Sequence, residues 1–216
     1  MSKPILGYWN FRGFAQDIRC LLHYLKIDFE DKRYPPGPNF GDDLWLAEKF
    51  EMGLDFPNVP YYIEGDVKLS ESRAILKYLA RAKDPKLIPG TALGQAKAEI
   101  LEGVLVELHI KLVQSVYSEN APSIPLEVSL DPKFLQIAKF IGTNPFALGD
   151  QLQWIDFFLY EVLLQYSKYS QGIFATKPEI LRYLKNFEAI PELQEYLNSP
   201  AVLEDICLSR KGRVIF

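Results

Sequence analysis

With 216 residues, 48% hydrophobic and 24% charged, the chain is long enough for one or two packed domains with a sizeable core. A net charge of only -4, with 24 Lys and Arg scattered rather than clustered, gives no strong attraction to phosphate backbones, so nucleic acid is not an expected partner. The longest apolar stretch of the C-terminal half, Trp154 to Leu164, is broken by Asp156 and Glu161 and is far short of the roughly 20 apolar residues of a membrane span, so no membrane partner is expected either.

The chain enters a strand-like run at Pro4 to Trp9 without the long apolar region and cleavage site of a secretory signal. Ile5 to Trp9 is short and apolar, and Ala15, Ile18, Leu21, Leu22 and Leu25 then recur at helical spacing. Phe29 to Tyr34 reads as a second strand. A Pro- and Gly-rich loop, Pro35 to Gly41, leads to a short helical stretch around Trp45 to Phe50. Tyr61 to Ile63 and Val67 to Leu69, joined by Glu64-Gly65-Asp66, suggest a hairpin. A helix with Ala74, Ile75, Tyr78 and Leu79 on its apolar face follows, and Ser70 is its expected cap. The order is βαβ, then αββα.

Asp84-Pro85 and Pro89-Gly90 bracket an aperiodic segment with the character of a linker. Beyond it strand signals largely vanish. Ile100, Leu101, Val104, Leu105, Leu108, Leu112, Val113 and Val116 form a long helical stripe. Weaker helical stretches lie around Phe134 to Ile141, Ile155 to Tyr166, Ile180 to Ala189 and Leu193 to Leu197, while Pro122 to Pro125 reads as a connection. The expected organisation is α/β plus all-α: a domain over 1–83, a linker over 84–91 and an all-helical domain over 92–216. Cys20 and Cys207 are too few and too far apart for a disulfide framework or a metal site, which fits a reducing, cytoplasmic setting.

Three separated motifs carry a resemblance. Pro4-Ile5-Leu6-Gly7-Tyr8-Trp9 followed by Arg12-Gly13, then Leu54 to Tyr61 (Leu-Asp-Phe-Pro-Asn-Val-Pro-Tyr), then Glu71-Ser72-Arg73-Ala74-Ile75 closely resemble the mu class of glutathione transferases. The similarity continues through Trp45 to Phe50, the long helix, Tyr117 and Trp154 to Phe157, and weakens from Ala201 onward. It implies a thioredoxin-like N-terminal domain followed by a helical domain. It also implies detoxifying conjugation of glutathione, taken up as a co-substrate with no bound cofactor, to hydrophobic electrophiles.

A free thiol has a pKa of about 8.5, so an enzyme that uses glutathione as a nucleophile must stabilise its sulfur anion. Taken alone, Tyr8 could be a packed tyrosine at a strand end. Within Gly7-Tyr8-Trp9 and Arg12-Gly13, the resemblance makes it the catalytic residue: a phenol titrating near ~10 keeps its proton and donates it in a hydrogen bond to the sulfur. Val59-Pro60 reads either as a plain turn or, by resemblance, as the cis-proline loop that pairs Val59 with the cysteine of glutathione. Ser72 at a helix start suits the γ-glutamyl carboxylate or a cap. Glu71 stands where the mu pattern has Gln and could pair with the γ-glutamyl ammonium. Trp45 and Lys49, with Asn58 nearby, are donors for the glycine carboxylate, although Lys49 alone would read as a solvated surface residue. Asp42 and Asp43 fall where mu enzymes often have an arginine. Glu107 matches the long-helix position from which a neighbouring subunit's acid reaches the glutathione site.

The resemblance assigns Trp9, Phe14, Val113 and Tyr117 to the electrophile's pocket, with the Tyr117 hydroxyl able to assist epoxide opening or stabilise an enolate. Phe11 is bulkier than the usual residue and predicts a narrow pocket. Asp17 replaces a proline at the start of the first helix, where a carboxylate suits the dipole. Gln153 replaces the usual Ser or Thr cap three residues before Asp156, which reads as structural. His23, His109 and Cys20 read as packing residues. Phe56 resembles the mu-type key inserted between a partner's helices, with Lys77 and Arg81 near the two-fold axis, so a homodimer is expected. Two other functions stay open: a non-catalytic ligand-binding or structural member, and a glutathione-dependent isomerase.

Overall fold

The computed structural model describes residues 2–35, 42–117 and 126–207. The loop from Pro36 to Gly41, the side chains of Asp42 and Asp43, the Pro122 to Pro125 connection and the tail from Leu208 lie outside that description. The apolar alternation of the N-terminal third becomes β1 (Ile5–Trp9), α1 (Gln16–Tyr24), β2 (Glu30–Tyr34), α2 (Asp42–Glu48), β3 (Tyr61–Glu64), β4 (Val67–Ser70) and α3 (Ser72–Lys83). The four strands run in the order β2-β1-β3-β4. β1 is parallel to β2, with Tyr8 opposite Arg33, and antiparallel to β3, with Gly7 opposite Tyr61. A side chain at Gly7 would collide with the Tyr61 ring, so this strand position has room only for glycine.

The expected Ser70 cap is not formed. Ser70 ends β4, paired with Tyr61, and Glu71 stands at the N-cap of α3 with φ 70 and no side-chain cap bond. The hairpin ladder holds Ser70 in extended backbone, so the turn into α3 is made one residue later. The region 84–91 contains a short 3-10 turn, Pro85–Leu87, whose backbone is capped by the Asp84 carboxylate.

The helical part contains α4 (Ala92–Tyr117), α5 (Leu126–Ile141), α6 (Trp154–Tyr169), α7 (Pro178–Glu188) and, after a 3-10 turn, α8 (Gln194–Leu197). Ala98, Leu101, Leu105, Leu108, Leu112 and Val116 are the buried stripe of α4, at the three- and four-residue spacing of one helix face. α5 starts earlier than the pattern around Phe134 suggests, because Pro132 lies inside the helix rather than before it. Asp156 accepts N–H bonds from Gln153 and Ala147, each at 2.8 Å, and the Tyr183 hydroxyl at 3.1 Å. Burial raises its pKa to about 6 against these bonds. The carboxylate thus ties the start of α6 to the preceding loop and to α7.

One apolar cluster is continuous from Leu6, Ile18, Leu21 and Tyr62 on the sheet side to Leu105, Phe157, Val162 and Phe187 on the helical side. α1 is the shared layer. It is buried from Gln16 to Leu22, so its polar residues must find partners inside. Arg19 does so by pairing with Asp31 on β2 at 3.0 Å, and Asp17 by pairing with Arg73 on α3 at 2.7 Å.

Candidate active site

Tyr8 is the penultimate residue of β1 and is 3% exposed, and its hydroxyl oxygen accepts the Phe14 N–H at 3.0 Å. One lone pair is thereby used, and the hydroxyl proton is left to be directed elsewhere. Burial raises the phenol's pKa well above its ordinary value, the Phe14 bond and the Arg19 charge oppose that rise, and Cys207 and Asp17 add to it. Tyr8 is therefore a neutral donor across the physiological range. Gly13 has φ +43, and a Cβ there would strike the Tyr8 hydroxyl. The loop can approach the phenol this closely only because residue 13 has no side chain.

The loop after β1 is held from three sides. Arg19 donates to the Phe11 carbonyl at 3.1 Å and lies 5.9 Å from the Tyr8 ring centre. Arg12, 2% exposed, donates to both oxygens of Glu161 on α6, at 2.9 and 2.6 Å, and to the Leu203 carbonyl at 2.7 Å. The backbone N–H groups of Arg12 and Gly13 donate to the carbonyls of Asp205 and Ile206. These last two bonds hold Ile206 and Cys207 in an apolar cluster with Tyr8, Phe11 and Val116.

A cavity of about 570 Å³ opens onto Tyr8. One wall comes from the sheet domain: Trp45, Asn58, Val59, Pro60, Glu71 and Ser72. The Val59-Pro60 bond is cis, and the Val59 N–H is held by the Asn58 side-chain oxygen at 2.9 Å. Asn58 in turn donates to Glu71 at 3.3 Å. Glu71 owes its direction to a positive φ of 70, a region costly for a residue with a side chain, which marks a locally constrained backbone at the cavity margin. The other wall is one face of α4, where Val106, His109, Ile110, Val113 and Tyr117 succeed each other at helical spacing, completed by Trp9, Phe11, Phe14 and Phe158. Phe11 packs edge-on to Tyr8 at 5.6 Å and lines this part of the cavity.

Among the expected site residues, Tyr8, Trp9, Phe14, Trp45, Asn58, Val59, Pro60, Glu71, Ser72, Val113 and Tyr117 thus share one cavity. Lys49 and Glu107 do not line it. The Lys49 ammonium lies over the rings of Trp45 and Phe50, and Glu107 is paired with Lys111 at 2.7 Å on the exposed side of α4. Phe56 is 78% exposed, which removes an intramolecular core as its role.

Val106, His109, Ile110, Phe158, Arg73 and Cys207 line the cavity without a sequence signal that assigned them to it. His109, read as packing, is 1% exposed and packs against Phe14 with ring centres 4.3 Å apart and planes inclined by 38°, and its ring nitrogens have no hydrogen-bond partner among the described residues. Burial and then the Arg73 charge lower its pKa to about 3, while Gln165 stands close enough to oppose the shift without meeting hydrogen-bond geometry. It was detectable, since it precedes Val113 by four positions and Tyr117 by eight. Arg73 turns inward to Asp17 and lies 3.5 Å over the Phe158 ring. Cys207 reaches the cavity from the tail with its thiol pushed up to about 12 by burial. Cys20 lines no part of this cavity, and His23 stacks on Tyr196 at 3.7 Å, both as packing residues. Among the described residues no helix is long and apolar enough to cross a membrane.

A four-stranded sheet with a cis-proline loop, followed by a helical domain that walls its cavity, is the thioredoxin-like architecture of glutathione transferases. The family pattern for the glutathione S-transferase N-terminal domain matches residues 4–81, and that for the C-terminal domain matches residues 106–200. A glutathione S-transferase of Tyrophagus putrescentiae is 38% identical over 92% of this chain and 91% of its own length. Glutathione S-transferase Mu 1 of Oryctolagus cuniculus is 37% identical over 90% of both. The crystal structure of the glutathione S-transferase Blo t 8 superposes with a TM-score of 0.83 at 35% identity, over 97% of this chain and 100% of that one. The chain belongs to the glutathione S-transferase family, with Mu-class enzymes among its relatives. Detoxifying conjugation of glutathione is that family's general role.

Proposed function

We propose that this protein conjugates the glutathione thiolate to hydrophobic electrophiles, with Tyr8 as the residue that favours the anion. The observation that carries the reading is the Tyr8 hydroxyl at the cavity, with one lone pair occupied by Phe14 N–H and its proton uncommitted to that bond. A neutral phenol donating to the sulfur stabilises thiolate over thiol, and the apolar surroundings strengthen that bond. Nucleophilic attack then joins sulfur to the electrophilic carbon as the leaving group or the electron pair of the opened bond departs.

Glutathione is a consumed co-substrate in this reading, with no resident cofactor. Its cysteine backbone pairs with Val59 beside Pro60, for which Asn58 must release the Val59 N–H. Ser72 and Glu71 take the γ-glutamyl end and Trp45, Lys49 and Asn58 the glycine carboxylate. The electrophile lies against Trp9, Phe14, Val113 and Tyr117, the last assisting reactions that build charge on oxygen. The working protein is a cytoplasmic homodimer in which Phe56 docks into the partner and Glu107 approaches the neighbouring glutathione site. The domains divide as 1–83 and 92–216 about a linker at 84–91.

The test is a steady-state assay with glutathione and 1-chloro-2,4-dinitrobenzene. Saturable turnover in both is expected. Tight glutathione binding without turnover would instead support a non-catalytic, ligand-binding role.

A further inference from the structure

The peptide group between Gly13 and Phe14 is used at both ends. Its N–H, belonging to Phe14, donates to the Tyr8 hydroxyl at 3.0 Å. Its carbonyl, belonging to Gly13, accepts from Nε2 of Gln165 at 3.2 Å. Because a peptide group is planar, whatever fixes the carbonyl direction also fixes the N–H direction. Gly13 has no side chain and a φ of +43, so the peptide that follows it is easily rotated unless something grips it. Gln165 supplies that grip from α6, across the boundary between sheet and helices.

Gln165 is itself held in one orientation. Its Nε2 also donates to Oε1 of Glu161 at 2.8 Å, so both amide protons are committed, and a flipped amide would point its oxygen at two acceptors. Glu161 is anchored in turn by the two bonds from Arg12, the residue just before Gly13. Gln165, Glu161 and Arg12 are 0%, 1% and 2% exposed, so water does not compete for these bonds. A bond accepted by the carbonyl also polarises the peptide and makes its N–H a better donor.

We infer that Gln165 is a positioning residue for thiol activation: it orients the Gly13–Phe14 peptide, which orients the Tyr8 hydroxyl so that its proton points at the bound sulfur. The inference rests on the reading of Tyr8 given above. It assigns a residue of the helical domain, distant in sequence and outside the cavity lining, to the chemistry of the sheet domain.

The experiment compares Gln165→Leu, Tyr8→Phe, the double variant and the unmodified protein. Thiolate absorbance is followed against pH in each glutathione complex, alongside glutathione affinity and the thermal midpoint. Gln165→Leu is expected to raise the bound thiol's titration by about half to one pH unit, which lowers conjugation near neutral pH roughly three- to tenfold and is recovered at alkaline pH. In the Tyr8→Phe background the same substitution should add no further shift, because the hydroxyl it orients is gone. A Gln165→Leu titration coincident with that of the unmodified protein, beside a shifted Tyr8→Phe, overturns this inference and leaves the role of Tyr8 standing. Coincidence of Tyr8→Phe with the unmodified protein overturns that role itself. A full additional shift in the double variant makes Gln165 merely structural and also overturns the inference. If Gln165→Leu does not fold, Gln165→Asn, which withdraws the amide from Gly13 by one methylene, is read by the same comparison.

Discussion

Replacing Gly13 with Ala tests how tightly the loop is built against Tyr8. The new Cβ would clash with the Tyr8 hydroxyl and come within 2.7 Å of Tyr8 Cε1 and 2.8 Å of Phe11 Cε2. Both rings are buried, at 3% and 4% exposure, so neither can swing into solvent to relieve the contact. The backbone adds its own penalty, because φ is +43 and a left-handed conformation costs a residue with a side chain about 1–2 kcal/mol. Overpacking a filled interior costs about 1–3 kcal/mol, so a total destabilisation of roughly 2–5 kcal/mol is expected. At roughly 2–4 °C per kcal/mol for a chain of this size, the thermal midpoint should fall clearly. The relaxation must move the phenol or the Phe14 N–H, so conjugation near neutral pH should drop by at least about tenfold, a loss of only ~1.4 kcal/mol. Thermal denaturation and the 1-chloro-2,4-dinitrobenzene assay on the same preparations measure both. An alanine variant with an unchanged midpoint and unchanged turnover would refute the packing argument.

The exposed Phe56 should drive association, so Phe56→Ala, which deletes a contact worth ~3–5 kcal/mol when buried, should shift the protein toward monomer by light scattering. A mass of one chain for the unmodified protein would reject the homodimer. Tyr117→Phe should slow epoxide and enone reactions while sparing aromatic substitution, and a uniform loss would mean that the phenol only packs. His109 gives a pH prediction: its pKa is near 6.5 when exposed and about 3 in the fold, facing Arg73 and otherwise uncharged Phe14, Phe158 and Gln165. Between those values the unfolded chain binds a proton that the folded chain refuses. Stability is therefore intact above pH ~6.5 and lost as pH falls toward 3, by roughly 2–3 kcal/mol at pH 4.5 from this group. His109→Leu should flatten that acid limb in denaturation midpoints measured against pH, whereas parallel limbs for the two proteins would contradict it.

What could be read from sequence was local. Ile5–Trp9 and the α1 stripe announced themselves by period, and Tyr8, Val59-Pro60 and Glu71-Ser72 sat in contiguous motifs that the fold brings to one cavity. The missing parts depend on distant partners. Gln165 and Gly13 are separated by 152 positions, and the pairing of Asp17 with Arg73 joins two helices whose sequences show only an acid and a base. Ser70 looked like a cap because it precedes a helical stripe, but the β3–β4 ladder claims its backbone first. The stripe around Phe134 marks only the later part of α5, which begins at Leu126 and runs through Pro132 although a proline has no N–H to give the helix. Cys207 carries no local signal at all; bonds from distant residues to the tail, those of Arg12 and Gly13 among them, bring it to Tyr8.

The claim that Tyr8 activates the thiol is tested most directly by the thiolate absorbance of bound glutathione, titrated in the unmodified protein and in Tyr8→Phe. Glutathione should still bind the variant through Val59, Ser72, Glu71, Trp45 and Lys49. Losing a hydrogen bond to a charged group costs ~1.5–3 kcal/mol, so the bound thiol in Tyr8→Phe should titrate about one to two pH units higher, with activity partly restored at alkaline pH. Coincident titration curves would contradict the account and turn attention to a backbone N–H of the Phe11 to Phe14 loop as the group that holds the anion.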